Sequence, residues 1–141
     1  MLGERALQPR TVVVVEDEFI VRDHAVALLE ELGFPIEDFA TADEALAFLE
    51  GNAGKVFALF TDVRTPGFLD GVGLAQVANE RWPWIRIMVA SAFALADIDA
   101  LPPDATFVRK PWLPLEVITT VSNWADPAHR EHFRARWIRL T

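Results

Sequence analysis

Three acids in a row, Glu16, Asp17 and Glu18, follow directly on a run of four valines, residues 12–15. Side by side at the end of a buried segment they repel one another, so they either sit in a solvated turn or hold something positive. A fourth acid, Asp62, closes another apolar run beginning at residue 56. Ser91 closes a third, and Lys110 follows a short one at 106–108. An ionised carboxylate can act as a nucleophile without a general base, and carboxylates brought together need a cation between them. An ammonium and a hydroxyl can hold an anion. Whether these groups meet depends on the elements that carry them.

Apolar periodicity alternates between two kinds of segment. Residues 12–15 suit a strand buried on both faces. From 19 to 32 the apolar positions Ile20, Ala25, Leu28, Leu29 and Leu32 predict a helix, stopped by Gly33. A weaker strand is expected over 36–40. The capping box Thr41-Ala-Asp-Glu44 starts a second helix, and a third strand runs over 56–60 into Thr61 and Asp62. Further helices are expected over 72–81, 95–101 and 114–124, with strands at 85–90 and 106–108; Pro114 lies in the first turn of the last helix. Five strands alternating with helices predict an α/β fold, a doubly wound parallel sheet covered on both faces. In such folds ligand chemistry gathers at the carboxyl ends of the strands.

The chain has 141 residues, enough for one domain with a sizeable core, and is 52% hydrophobic and 24% charged, the balance of a folded protein. Its longest apolar run, 87–96, is too short to cross a bilayer. The opening MLGERALQPR lacks the apolar stretch of a secretory signal. Cysteine is absent, which excludes disulfides, thiolate metal sites and thiol nucleophiles. A cytoplasmic location is expected, with no membrane attachment. The net charge of −8 argues against nucleic acid as a partner. The charge is uneven: four arginines against Asp126 and Glu131 give residues 126–141 a balance of +2, leaving −10 on the remainder.

Read at the strand ends, the first strand delivers Glu16 and Asp17, the third Asp62, the fourth Ser91 and the fifth Lys110. Taken singly, Asp17 reads as a helix cap, Asp62 as the start of a turn, Ser91 as an ordinary buried hydroxyl and Lys110 as a solvated lysine. Taken together, and with Pro111 after the lysine, they resemble the receiver domain of two-component response regulators over roughly residues 11–125. The resemblance implies a CheY-like, flavodoxin-like sheet of order 2-1-3-4-5. It implies that Asp62 accepts a phosphoryl group from a histidine kinase or phosphotransfer protein. It further implies that Glu16, Asp17, Asp62 and the backbone carbonyl of Arg64 hold Mg2+, a hard cation suited to oxygen ligands. Lys110 then pairs with the phosphoryl group and Ser91 hydrogen-bonds to it. Phosphoryl transfer needs charge neutralisation more than covalent help, which suits this set.

Several positions tune that expectation. Arg64 and Phe93, two residues after the aspartate and the serine, occupy the places that set hydrolysis in the family, and they predict a long-lived phosphorylated state. Phe107 matches the family's switch aromatic, moving as Ser91 is drawn toward the phosphoryl group. The readout surface is the fourth helix, fifth strand and fifth helix, including Leu95, Ile98, Trp112 and Leu115, from which a downstream protein target reads the state. Two departures touch the loop after Asp62: Thr65 stands where the family has methionine, and one extra residue precedes Asp70-Gly71. Loop insertions change stability little.

Residues 1–10 read as a leader and 126–141 as a basic amphipathic extension, Phe133, Trp137 and Leu140 forming a stripe that packs on its own domain or contacts a partner or a second copy. His129 and His132 lack a third ligand and are not read as a metal site. The chain is therefore expected to be a stand-alone receiver, a signalling domain rather than an enzyme. Two other readings remain: an unphosphorylated interaction module on the same fold, and a magnesium-dependent phosphatase. The phosphatase usually wants a second aspartate where Arg64 stands.

Overall fold

The four valines answer to two cores at once. Val12 and Val14 enter one apolar cluster and Val13 and Val15 the other, and all four are fully buried. Successive strand residues point to opposite faces, so only a strand covered on both sides uses four valines in a row. The computed structural model describes residues 9–92 and 98–124. Its strands are β1 (Thr11–Val15), β2 (Ile36–Phe39), β3 (Val56–Asp62), β4 (Arg86–Ser91) and β5 (Thr106–Arg109). Its helices are α1 (Phe19–Glu31), α2 (Ala42–Asn52), α3 (Gly71–Arg81) and α4 (Pro114–Trp124). The strands pair in parallel in the order β2-β1-β3-β4-β5, the doubly wound sheet that the resemblance implies.

One cluster packs Leu49 of α2 and Leu74 and Ala78 of α3 against Val13, Leu59 and Val89. The opposite cluster packs Ala25, Leu29 and Leu32, with Val117 and Val121 of α4, against Val12, Phe60 and Met88. Each fully buried aliphatic side chain contributes roughly 1.5–3 kcal/mol relative to exposure.

Local signals set the helix starts. Thr41 accepts from Glu44 N–H (3.1 Å) and donates its hydroxyl to the Glu44 carboxylate (3.0 Å). Asp70 caps α3 by accepting from Gly73 N–H (2.8 Å). At α4 the Glu116 carboxylate accepts from Leu113 N–H (3.0 Å), and Pro114 takes the first helical position.

Two expectations change. Ile20 does not belong to the buried stripe of α1; it is 70% exposed, as is its neighbour Phe19 at 69%. Five residues on a helix turn about 140° past a full turn, which takes Ile20 off the face of Ala25. The half-buried Val21 sits next to that stripe instead. The helix expected over 95–101 is, in its described part, a single 3-10 turn at Ile98–Ala100. Pro102 and Pro103 follow it, and a residue before proline is pushed out of the helical region. Residues 93–97, with Phe93 and Leu95, and the extension 126–141 lie outside the described residues, as does most of the leader. Among the described residues no helix is long and apolar enough to cross a membrane.

Candidate functional site

The strand register sets the site. β3 is the central strand, and its last residue, Asp62, pairs with Ala90 of β4, one residue before Ser91. On its other side Thr61 pairs with Val15, which leaves Glu16 and Asp17 just past the end of β1. Lys110 follows β5, and its N–H donates to the Ser91 carbonyl oxygen (2.8 Å). The five residues expected at one edge therefore come to one edge.

Glu16, Asp17 and Asp62 each place a carboxylate oxygen within 4.8 Å of the other two. Asp17 is exposed, whereas Glu16 is only 4% exposed. Lys110 reaches into this group: its ammonium donates to the Glu16 carboxylate and lies 3.2 Å from Asp62 Oδ2. Ser91 is buried at the end of β4, Phe107 is half-buried opposite Val89, and Arg64 is exposed. The Arg64 N–H lies 3.4 Å from Asp62 Oδ1, a long contact that turns its backbone toward the carboxylate.

Burial pushes the Asp62 carboxyl above the ordinary carboxylate range, and the charge of Asp17 adds to the rise; Lys110 and the Arg64 N–H pull the other way without cancelling it. Burial likewise raises Glu16, against the Lys110 hydrogen bond and the Glu18 N–H, with Asp62 repelling it further. Burial by itself would lower the Lys110 ammonium, but the Glu16 hydrogen bond and the two carboxylate charges outweigh that and hold it above the ordinary lysine range. Three acids thus share one cation and are under-neutralised. An all-oxygen donor set with residual negative charge and one exposed member fits a hard divalent ion that keeps part of its water, so the residues present fit Mg2+.

Three further residues hold the site in shape. Arg22 donates to the Glu16 carbonyl oxygen (2.8 Å) and pairs with Asp38 (3.1 Å), pinning the acidic turn to β2. A cation in the first turn of a helix opposes the macrodipole, which is the sequence signal that it has a tertiary task. Gly71 packs its α-carbon against the Asp62 carbonyl oxygen so closely that a Cβ there has no space, while its N–H donates to the Val63 carbonyl (2.8 Å). Asp43, one residue into α2, accepts from the loop after β3. Beside the site, an apolar hollow of about 500 Å3 opens between α1 and the segment after β5, lined by Val21, His24, Leu28, Pro111 and Trp112.

No family model matches the chain. Against characterised proteins, the chain is 31% identical over 107 residues to the response regulator receiver protein CpdR of Brucella abortus (strain 2308), covering 73% of this chain and 86% of that one. It is 34% identical over 119 residues to the sensor kinase CckA of the same organism, covering 82% of this chain but only 12% of the kinase. Among solved structures, a response regulator receiver protein from Sinorhizobium medicae WSM419 superposes with a TM-score of 0.77 at 27% identity, over 84% of this chain and 95% of that one.

Proposed function

The chain belongs to the response regulator receiver family of two-component systems, and from that premise we propose that it is a phosphorylation switch whose acceptor is Asp62. One observation carries the reading: Asp62 ends the central strand among two further carboxylates, with an ammonium 3.2 Å from its Oδ2. A lone pair on the Asp62 carboxylate attacks the phosphorus of a phosphohistidine borne by a kinase or phosphotransfer protein. The new P–O bond forms as the P–N bond breaks, and the imidazole nitrogen keeps the electron pair and takes up a proton from water. Lys110 is already seated to neutralise phosphoryl oxygens, and the hydroxyl of Ser91, one residue past the Ala90 that pairs with Asp62, would donate to them.

Glu16, Asp17, Asp62 and the Arg64 carbonyl would hold Mg2+, which when bound supplies the remaining positive charge for the transferred group. The apolar hollow beside Lys110 suits a protein phosphodonor, and Phe19, Ile20 and Leu113, each next in sequence to a residue that lines it, are exposed. Readout by a protein target follows from displacement of Ser91 and Phe107, a population shift that works only if the target binds the two forms unequally.

Trp112 stacks edge-on against Phe60 at 5.6 Å and lines the hollow next to Lys110, so its fluorescence reports on the site. Beryllofluoride, a phosphoryl mimic, added with Mg2+ is expected to change that fluorescence in the wild type and not in Asp62→Asn. A response that persists in Asp62→Asn sinks the assignment. No response in either protein favours an unphosphorylated interaction module.

A further inference from the structure

We infer that Asp43, a residue of α2 with no place in the acid cluster, is a positioning residue that fixes the loop after β3 and so the Arg64 backbone. The inference rests on the receiver reading, since Arg64 matters through the metal site that reading assigns. The loop from Val63 to Asp70 carries the residue inserted ahead of Asp70-Gly71. Its base is closed by the Gly71 N–H on the Val63 carbonyl (2.8 Å) and by the Thr65 hydroxyl on the Leu69 carbonyl (3.3 Å). Neither contact reaches the apex.

The apex is held by Asp43. Its two carboxylate oxygens accept separately, Oδ2 from the Phe68 N–H (3.0 Å) and Oδ1 from the Leu69 N–H (3.2 Å). Hydrogen bonds to an ionised acceptor are about twice as strong as neutral ones, and two from one planar group fix orientation as well as distance. At Phe68 apolar packing supplies no alternative, because that side chain is fully exposed, whereas Leu69 beside it also packs against the core. Gly67 is shaped to the same contact. Its φ of 111° is open to glycine and rarely to other residues, and a Cβ there would run into the Asp43 carboxylate. The insertion is thus accommodated by a turn built around one side chain from another helix, twenty-five residues away from Phe68.

This geometry links Asp43 to the site through the backbone. With the apex clamped and the base closed at Val63, residues 64–66 are confined between two fixed points. Arg64 is there held with its N–H toward Asp62 Oδ1. Releasing the apex widens the range of Arg64 backbone positions and weakens the metal cup without touching any carboxylate in it.

The test is a Mg2+ titration of the metal-free full chain, by calorimetry, alongside amide hydrogen exchange at Phe68 and Leu69. Asp43→Ala is expected to weaken Mg2+ binding about tenfold, the lower end of what outer-shell partners contribute, and to speed exchange at both amides. Asp43→Asn loses the charge but keeps one acceptor oxygen, and a smaller loss is expected. Faster exchange in Asp43→Ala with unchanged Mg2+ affinity overturns the inference. An equal loss in Asn and Ala also overturns it, because it assigns the effect to charge alone. A wild type that takes up no Mg2+ overturns the receiver reading, and this inference with it.

Discussion

Two sets of buried residues share the same strands. Along the middle of β1, β3 and β4, Val13, Leu59 and Met88 are wholly buried among apolar neighbours. Three residues further on, at the carboxyl ends, Glu16, Asp62 and Ser91 are polar, with the Glu16 side chain 6% and the Asp62 side chain 12% exposed. Removal from water stabilises the first set and penalises the second, since desolvation disfavours a charged form. The difference teaches that the acid cup is imposed on the sheet rather than contributing to it. The core orders the backbone, and the backbone holds together charges that would otherwise separate.

The largest way to test this is on the apolar side. Leu59→Ala is expected to destabilise the protein by about 2–5 kcal/mol, the range for a buried leucine whose cavity relaxes only in part; equilibrium urea unfolding measures it. A loss under 1 kcal/mol would mean that the central strand is not the principal support.

The opposite sign is expected at the site. A carboxyl whose folded pKa is raised contributes stability below its unfolded pKa, and that contribution is lost as pH rises through the raised folded value. At neutral pH Asp62 therefore weighs against the fold, and Asp62→Asn is expected to raise the melting temperature of the metal-free protein. The gain shrinks on acidification into the carboxylate range, where Asp62 is protonated in both states. Thermal unfolding of the two proteins across pH 4 to 8 measures it, and a variant less stable than wild type at pH 7 would break the comparison.

The smallest effect lies away from both regions. Thr41→Ala removes the N-cap of α2 and is expected to cost about 1 kcal/mol by urea unfolding, with little change from pH 6 to 8 because the capping bond from the Glu44 N–H to the Thr41 hydroxyl joins neutral groups. A strong pH dependence in that window would show that the cap and the acid cup are coupled.

The fold was legible because its signals are local. β-branched runs, the Thr41 capping box and Pro114 each act within a few residues, and alternation of strand and helix leaves little choice of architecture. The gathering of Glu16, Asp17, Asp62, Ser91 and Lys110 followed from strand ends alone. What escaped were residues whose roles exist only in three dimensions. Asp43 reads as an ordinary first-turn acid, and nothing near it in sequence announces two amides twenty-five and twenty-six residues downstream. Arg22 carried a faint signal, being a cation at the wrong end of a helix dipole. Ile20 misled because residue type alone places it with the apolar stripe, although the exposed Asp23 and His24, three and four residues on, mark its face as the outer one.

The ion pair between Glu16 and Lys110 joins positions 94 residues apart. In synthesis from the amino terminus the acids that follow β1 and end β3 are made before their ammonium. Lys110 is the last of these groups to be made, so the complete centre, ammonium included, marks that translation has passed β5.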